Sequence, residues 1–365
     1  MRVVFAGGGT GGHLFPGIAL AEELRARGGH QCLFVGTAKG IETRVVPSEG
    51  WPLELIDIGA LKGGGVGGVA RGLVRVPRAI VQSLAILGRF KPDLVVGVGG
   101  YASGPLVLAA ALTGHRTAIL EQNSVPGITN RILGRVVGTV FVAFEESRRY
   151  FPAHKVRLEG NPIRAKMREG VGAASQHVFV AMRDQRLLVC GGSQGAHAVN
   201  ERVVEAMALL ATENRAPRLV HQTGAADRFA VAERYRAAGL DAAHAEVREF
   251  IDDMATAYRD ADLVVGRAGA TTIAELTAIG RASILIPFPR AADDHQTVNA
   301  LALAHAGAAK VFPESGLSAR TLADTIASLL SDDEQRSRMA DAARRIGRPN
   351  AARAITDALL EIASR

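Results

Sequence analysis

Residues 2–13 read RVVFAGGGTGGH, and residues 186–197 read RLLVCGGSQGAH. The two stretches align without a gap, 184 residues apart. Arg2 falls on Arg186, Gly7–Gly8 on Gly191–Gly192, Gly11 on Gly195 and His13 on His197. Each is a short apolar run, a glycine-rich turn and then a segment with helical spacing. That is the opening βα unit of a Rossmann-like domain, whose turn lets backbone N–H groups at a helix N-terminus approach an anion. Two openings predict an α/β chain of two facing Rossmann-like domains with a deep interdomain cleft. A phosphate-bearing substrate is the ligand such loops suit.

Working outward, the first half alternates strands and helices. Strands are expected at Val3–Ala6, Gln31–Val35, Leu53–Ile58, Asp93–Val98 and Thr117–Glu121, with a helix at Pro16–Arg27. Apolar runs without polar alternation indicate a parallel sheet buried on both faces. The turn at Gly160–Asn161–Pro162 closes the first half, so the domains are expected at residues 1–163 and 164–349. Residues 165–185 read as a linker. The second half restarts at Leu187, with further strands at Arg218–Gln222, Ala261–Gly266 and Ser283–Pro287. Helices are expected at Ala198–Leu210, Ala225–Ala238, Thr272–Ile279, Thr297–Ala306 and Ala319–Leu330. Arg348–Pro349–Asn350 is a break, after which a last helix (350–365) is expected to fold back onto the first domain.

Composition narrows the function classes. A net charge of +7 and a pI near 9.8 point to an anionic partner: nucleic acid, an anionic membrane surface or phosphorylated metabolites. Aromatics are only 5%, which removes the stacking platform that single-stranded nucleic acid needs. The two cysteines, Cys32 and Cys190, both fall in expected strands and read as buried small hydrophobes, as in a reducing cytoplasm. The first expected strand begins at Arg2, leaving no room for a signal peptide, and the longest apolar run, Pro105 to Leu112, is too short to span a bilayer.

The glycine loops admit three chemistries. Gly7, Gly9 and Gly12 satisfy G-x-G-x-x-G, but a dinucleotide also needs an acid at the end of the second strand. That strand exits into Gly36–Thr37–Ala38–Lys39. Gly191–Gly192–Ser193–Gln194–Gly195 satisfies the G-x-S-x-G of a nucleophile elbow, with Asp262 and His295 or His305 downstream. The matching position in the first copy is Gly9, so this place belongs to a backbone cradle, and a hydrolase would leave the first domain without a task. A P-loop is absent, since no Gly-Lys-Ser/Thr follows either loop.

The third chemistry is that of a nucleotide-sugar transferase. GGGTGGHLFPG (7–17), GVGGYASGP (97–105), EQNSVPG (121–127), GNPIR (160–164), GGSQGA (191–196), EFIDDM (249–254), GRAGATTIAEL (266–276) and DDHQTVNA (293–300) occur in that order. In these motifs the chain resembles the MurG family, from about Arg2 to Ala309 and more loosely to the C-terminus. The resemblance implies a fold of the GT-B type. It implies transfer of N-acetylglucosamine from UDP-N-acetylglucosamine to the C4 hydroxyl of the muramyl sugar of lipid I (undecaprenyl-diphosphate-muramyl-pentapeptide), with inversion, giving lipid II and UDP. No metal or other cofactor is implied, and Asp260–Ala–Asp262 reads as a solvated helix end rather than a metal site. Implied partners are the two substrates, an anionic membrane surface at the cytoplasmic face and other cell-wall synthesis proteins, with no nucleic acid. A UDP-N-acetylglucosamine 2-epimerase of the same architecture and a non-catalytic nucleotide-sugar binding protein stand as alternatives.

The resemblance also carries contacts to the donor substrate onto Thr10, Gly11, Gly12, Asn123, Arg164, Ser193, Ile251, Ala270, Thr271, Thr272, Ile273, Ala274, Glu275 and Gln296. Gly269–Ala270–Thr271–Thr272 opens a helix, a ready site for a diphosphate. Glu275, one turn in, suits both ribose hydroxyls, and Ile251 at a strand end could present backbone groups to uracil. His13 is the candidate general base, because a histidine titrates near neutrality. A phosphate contact is its other reading, and His197 is expected to serve as such a contact or structurally. Many members of the family carry His before Glu-Gln-Asn. Here that position is Leu120, which leaves Glu121 as a second candidate base. The loops at Gly8–Gly9–Thr10 and Gly99–Gly100–Tyr101 are assigned to the acceptor diphosphate. Residues 69–91 carry Leu73, Val74, Ile80, Val81, Leu84 and Leu87 among Arg71, Arg75, Arg78, Arg89 and Lys91, a pattern that can lie on an anionic leaflet or pack as an ordinary core helix.

Overall fold

Buried apolar runs cannot leave backbone groups unpaired, and in this chain they pair side by side as parallel strands. The computed structural model describes residues 1–365 apart from 59–64, 174–184, 193 and 365, and apart from the side chains of 65–74, 170–173 and 292. The chain divides into two units, Met1–Ala165 with Asn350–Arg365, and Lys166–Pro349.

The first unit runs β1 (Arg2–Gly7), α1 (Gly11–Arg27), β2 (Gln31–Gly36), α2 (Glu42–Ser48), β3 (Leu53–Leu55), α3 (Gly65–Phe90), β4 (Leu94–Gly99), α4 (Ser103–Leu112), β5 (Arg116–Glu121), α5 (Ile128–Val136), β6 (Thr139–Val142) and β7 (Val156–Leu158). Among the described residues these strands form one parallel sheet in the order β3-β2-β1-β4-β5-β6-β7. β1 is an interior strand, Val4 beside Leu33 on one side and Val95 on the other. Alternate residues of one strand feed two cores. Val3 and Phe5 pack with Leu14, Ile18 and Phe34, whereas Val4 and Ala6 pack with Val35, Leu106 and Ile119.

α6 (Ala165–Ala173) occupies the start of the expected linker. The second unit then runs β8 (Arg186–Cys190), α7 (His197–Thr212), β9 (Arg218–Gln222), α8 (Arg228–Ala237), β10 (Ala245–Arg248), α9 (Met254–Asp260), β11 (Leu263–Gly266), α10 (Ala270–Ile279), β12 (Ser283–Leu285), α11 (His295–His305), β13 (Ala309–Val311), α12 (Ala319–Ser331) and α13 (Asp333–Ile346). Its described strands are parallel in the order β10-β9-β8-β11-β12-β13. α14 (Ala351–Ser364) belongs to the first unit, where Ala352, Ile355 and Leu359 join the core that holds Leu14 and Ile18.

Several expectations shift. The first helix begins at Gly11 instead of Pro16, because burial of Gly11 and Leu14 outweighs the weak helix propensity of paired glycines. β6, β7, β10 and β13 were not expected. They are three or four residues long, too short for periodicity to register, and β10 alternates exposed with covered residues. α13 was also missed. Its sequence is polar and buries only Arg336, Met339, Ala342 and Ala343. Cys32 and Cys190 are free, buried and in strands β2 and β8. Among the described residues no helix is long and apolar enough to cross a membrane.

Candidate active site

In an open parallel sheet, ligands bind beyond the carboxyl ends of the strands where the winding order reverses. Each sheet has one such point. β1 is flanked by β2 and β4, and β8 by β9 and β11. The glycine loops leave β1 and β8, so topology places both at reversal points.

In the first unit the loop after β1 interlocks with the loop after β4. Gly8 N donates to Gly99 O at 3.1 Å. Gly99 and Gly100 both have positive φ, and a methyl on Gly100 would strike the Gly8 carbonyl, so only glycine permits this approach. The His13 imidazole lies against Gly99, with Nδ1 3.5 Å from Thr10 Oγ1. The Arg164 guanidinium stacks 4.8 Å from the centre of the Phe15 ring, which itself packs on Gly11. Thr10, Gly11, Gly12, His13 and Arg164 are therefore grouped at the opening of α1.

The segment after β5 is tied to the same place, since Gln122 Nε2 donates to Val98 O at 2.8 Å. Glu121 is 3% exposed. It accepts from Asn123 N and Asn130 Nδ2, each at 2.9 Å, and also from the Gly127 backbone. Burial raises its carboxyl from 4.5 to about 7, against the opposing pull of these donors. A carboxyl so enclosed orients the loop that carries Asn123. Its role as a base remains an expectation beside this anchoring one.

In the second unit the loop after β8 leans on the exit of β9. A methyl on Gly195 would meet the Thr223 carbonyl, and Gln222 Nε2 donates to Gly192 O at 2.8 Å. Ser193 lies outside the described residues. The oxygen of that amide, Gln222 Oε1, accepts from Ile251 N at 3.0 Å, so Ile251 can turn its carbonyl, not its N–H, toward a base. His197 is 74% exposed, with Nδ1 3.0 Å from Asp227. Below it runs a buried chain: Asn200 Nδ2 donates to Asp227 (2.8 Å), and His221 joins Asn200 Oδ1 (3.1 Å) to the Tyr235 hydroxyl (2.8 Å). Burial lowers His221 from 6.5 to about 3.

β11 exits through Arg267 into α10, whose cap is Gly269 in extended conformation. Arg267 is buried and donates to the carbonyls of Ile286 (3.1 Å) and Pro287 (3.0 Å), which braces the approach to α10. Thr271, Thr272, Ala274 and Glu275 are half-buried on α10, while Ala270 and Ile273 are buried. Glu275 is bonded by the hydroxyl of buried Tyr258, whose phenol is raised by burial first and then by its neighbours Cys190 and Glu275. Burial likewise raises the Cys190 thiol to about 12, so it is an inert core residue. Gln296 Oε1 accepts from Phe288 N at 3.0 Å, so that amide's nitrogen is the end left to face a ligand. Two consecutive left-handed residues, Asp293 and Asp294, aim α11. Of the D-x-D pair, Asp262 accepts from Arg186 N (2.8 Å) and so starts β8.

Such loops recur in many nucleotide-binding proteins, so the comparisons with known proteins decide the family. The glycosyltransferase family 28 N-terminal domain matches residues 3–142, and the family's C-terminal domain matches residues 186–355. The chain belongs to glycosyltransferase family 28. A relative from Anaeromyxobacter sp. (strain K) is 52% identical over 100% of this chain and 94% of its own. It is named UDP-N-acetylglucosamine--N-acetylmuramyl-(pentapeptide) pyrophosphoryl-undecaprenol N-acetylglucosamine transferase. The crystal structure of Acinetobacter baumannii MurG is 33% identical, with a TM-score of 0.75 and 99% of each chain covered. A putative UDP-N-acetylglucosamine 2-epimerase from Listeria monocytogenes gives a TM-score of 0.67 at 16% identity, covering 98% of this chain and 95% of its own, a likeness of fold alone. Two parallel-sheet Rossmann-like domains of the GT-B type are the fold of this family 28 enzyme.

The expected site residues fall into two sets. Thr10, Gly11, Gly12, His13, Glu121, Asn123 and Arg164 lie on the first unit, and Ile251, Ala270 to Glu275 and Gln296 on the second. Sequence reasoning missed Glu42, Gln222, Tyr258 and Arg267, which hold these groups. Glu42 left a trace, since an acid does follow β2, three residues beyond Lys39. Tyr258 and Gln222 left none.

Proposed function

We propose that this chain transfers N-acetylglucosamine from UDP-N-acetylglucosamine to the C4 hydroxyl of the muramyl sugar of lipid I, inverting the anomeric centre and releasing UDP. The observation that carries the reading is 52% identity across the whole chain with proteins named for that reaction. The geometry supplies the parts. The second unit takes the donor. The opening of α10 receives the diphosphate, Glu275 (oriented by Tyr258) accepts from the ribose hydroxyls, Ile251 offers its carbonyl to the uracil, and Gln296 donates to the sugar. The first unit takes the acceptor, with its diphosphate at the opening of α1 and His13 drawing the proton from the attacking hydroxyl. Asn123 and Arg164 stand on that side as polar contacts. Backbone N–H groups and helix openings stabilise the charge that develops on departing UDP.

Attachment to a membrane surface is a further part of the proposal. α3 is divided: Ala79, Ser83, Ile86 and Leu87 are buried. Val81 (65% exposed) and Leu84 are exposed, and Leu112 (75%) lies at the end of α4. A groove lined by Leu84, Leu87, Gly88, Lys91, Thr113 and His115 joins the two helix ends. Arg75 and Arg78 are exposed, with Arg78 3.4 Å from Asp57. The side chains of Arg71, Leu73 and Val74 are outside the described residues. Apolar and cationic terms act together in such anchoring.

Incubation with UDP-N-acetylglucosamine and a soluble lipid I analogue should yield the disaccharide and UDP in equal amounts. Conversion of UDP-N-acetylglucosamine to its 2-epimer without acceptor would replace the transferase by the epimerase. Binding without turnover would replace it by the silent binding protein.

A further inference from the structure

A Rossmann-type loop normally offers its N–H groups to an anion, and an acid after the second strand holds a ribose. The first unit does neither in the usual way. Glu42, the first residue of α2, turns back under the glycine loop. Its Oε2 accepts from Gly9 N at 2.7 Å, and its Oε1 accepts from Thr37 N at 2.8 Å and Thr37 Oγ1 at 3.1 Å. The side chain is 1% exposed. Three glycines from separate places in the chain make room for it: a methyl on Gly8, Gly36 or Gly40 would land on its carboxyl atoms. Gly8 and Gly9 have φ of +143° and +86°, a backbone that side-chain-bearing residues rarely adopt and that must be held from outside. Among the described residues no acid holds the second copy of the motif in this way. There the neutral amide of Gln222 supports Gly192.

We propose that Glu42 is a positioning residue for the acceptor half of the reaction. It fixes the first glycine loop and withdraws the Gly9 N–H from anion binding. The acceptor's diphosphate then meets this unit at the opening of α1, Thr10 to Gly12, beside His13. The same contact explains why G-x-G-x-x-G here does not make a dinucleotide site, since the N–H and the corner such a ligand would use are occupied by the chain's own carboxylate. The inference rests on the first unit's taking the acceptor.

The test uses Glu42→Gln, which keeps the volume but turns an NH2 group toward one of the two backbone donors. Gly40→Ala is the second variant, displacing the Glu42 side chain without removing it. Amide hydrogen exchange at Gly9 should be at least about tenfold faster in both than in the unaltered chain, the opening of a bond worth at least the usual 1–1.5 kcal/mol. With a soluble lipid I analogue, kcat/KM for the acceptor should fall roughly ten- to hundredfold, the loss of a charged hydrogen bond, while the KM for UDP-N-acetylglucosamine stays within about twofold. Unchanged Gly9 exchange in whichever variant folds would overturn the holding role. Faster exchange with equal losses for both substrates would make Glu42 merely structural. Faster exchange with a loss confined to the donor would overturn the placing of the acceptor on the first unit and leave the holding role intact.

Discussion

In the first unit the glycine loop is gripped from two sides, by the Gly99 carbonyl at the end of β4 and by Glu42 at the start of α2. In the second, Gly195 closes on Gly192 (3.0 Å) and packs on Thr223 beyond β9, and the supporting side chain is the neutral Gln222. The same twelve-residue pattern thus encodes the same strand, turn and helix, while the neighbours that hold it differ. The first loop is held from both neighbours of β1, by the end of β4 and by α2, which follows β2. The second is locked on the β9 side, away from the α10 opening, which stands next to β8 through β11. Buried carboxyls (Glu42, Glu121) serve the first unit, and neutral amides and a histidine (Gln222, Asn200, His221) serve the second.

The largest expected difference lies between the two matching histidines. His13→Ala should lower kcat about a hundred- to ten-thousandfold with UDP affinity within a few fold, as for loss of a general base. His197→Ala should be far milder, because its imidazole is exposed and tied to Asp227 on the other unit. Single-turnover kinetics with a saturating lipid I analogue decides. A kcat unaltered by His13→Ala removes the base assignment, and equal losses in rate and UDP affinity make His13 a phosphate contact.

Next come the glycines that lock each loop. Gly100→Ala drives a methyl into Gly8 O, and Gly195→Ala drives one into Thr223 O. Each should destabilise its unit by roughly 2–4 kcal/mol, backbone strain plus overpacking. Gly192→Ala, at φ +93° with open space around it, should cost about 1–2 kcal/mol. Chemical denaturation followed separately in the two units would show it. A ranking with Gly192→Ala worst would mean the interlocks do not hold the loops.

Glu275→Ala tests the donor side of the comparison. Truncating a charged acceptor of two hydroxyls should weaken UDP-N-acetylglucosamine binding by about 1.5–3 kcal/mol. Calorimetry that returns the original affinity removes Glu275 from the site. Tyr258→Phe should lose a smaller part of the same affinity, because it only orients that carboxylate.

The smallest effect per step is a pair of opposite pH slopes. Glu121 is held at about 7 against an ordinary 4.5, so its contribution to the first unit is full below about 4.5 and is lost as pH rises to about 7. His221 is held at about 3 against 6.5, so its contribution to the second unit is full above about 6.5 and is lost as pH falls toward 3. Between about pH 4.5 and 6.5 acid should therefore favour the first unit and weaken the second, each by up to about 1.4 kcal/mol per pH unit. Hydrogen exchange of core amides, compared with Glu121→Gln and His221→Gln, isolates each group. Slopes of the same sign would break the contrast.

The sequence by itself determined the two-unit α/β plan, the glycine loops and the donor motif around Gly269–Glu275, because each is local. An apolar run of five residues, a turn that only glycine can make and a helix opening are written in consecutive residues. The long strands and many helices were legible for that reason, as were the short β3 and β12, whose apolar pattern continues beyond the strand, and β11, an unbroken apolar run. β6, β7, β10 and β13, three or four residues long, were not. Tertiary structure alone decided what stands behind the loops. Glu42 reaches Gly9 across 33 residues, Gln222 reaches Gly192 across 30, Arg267 reaches Glu314 across 47 and Tyr258 meets Glu275 beyond a strand and a turn, and no spacing rule announces such a bond. It also decided the surroundings of Glu121: burial among Asn123, Asn130 and Gly127 raises its carboxyl and ties it to the loop, and burial is a property that only the packed chain possesses.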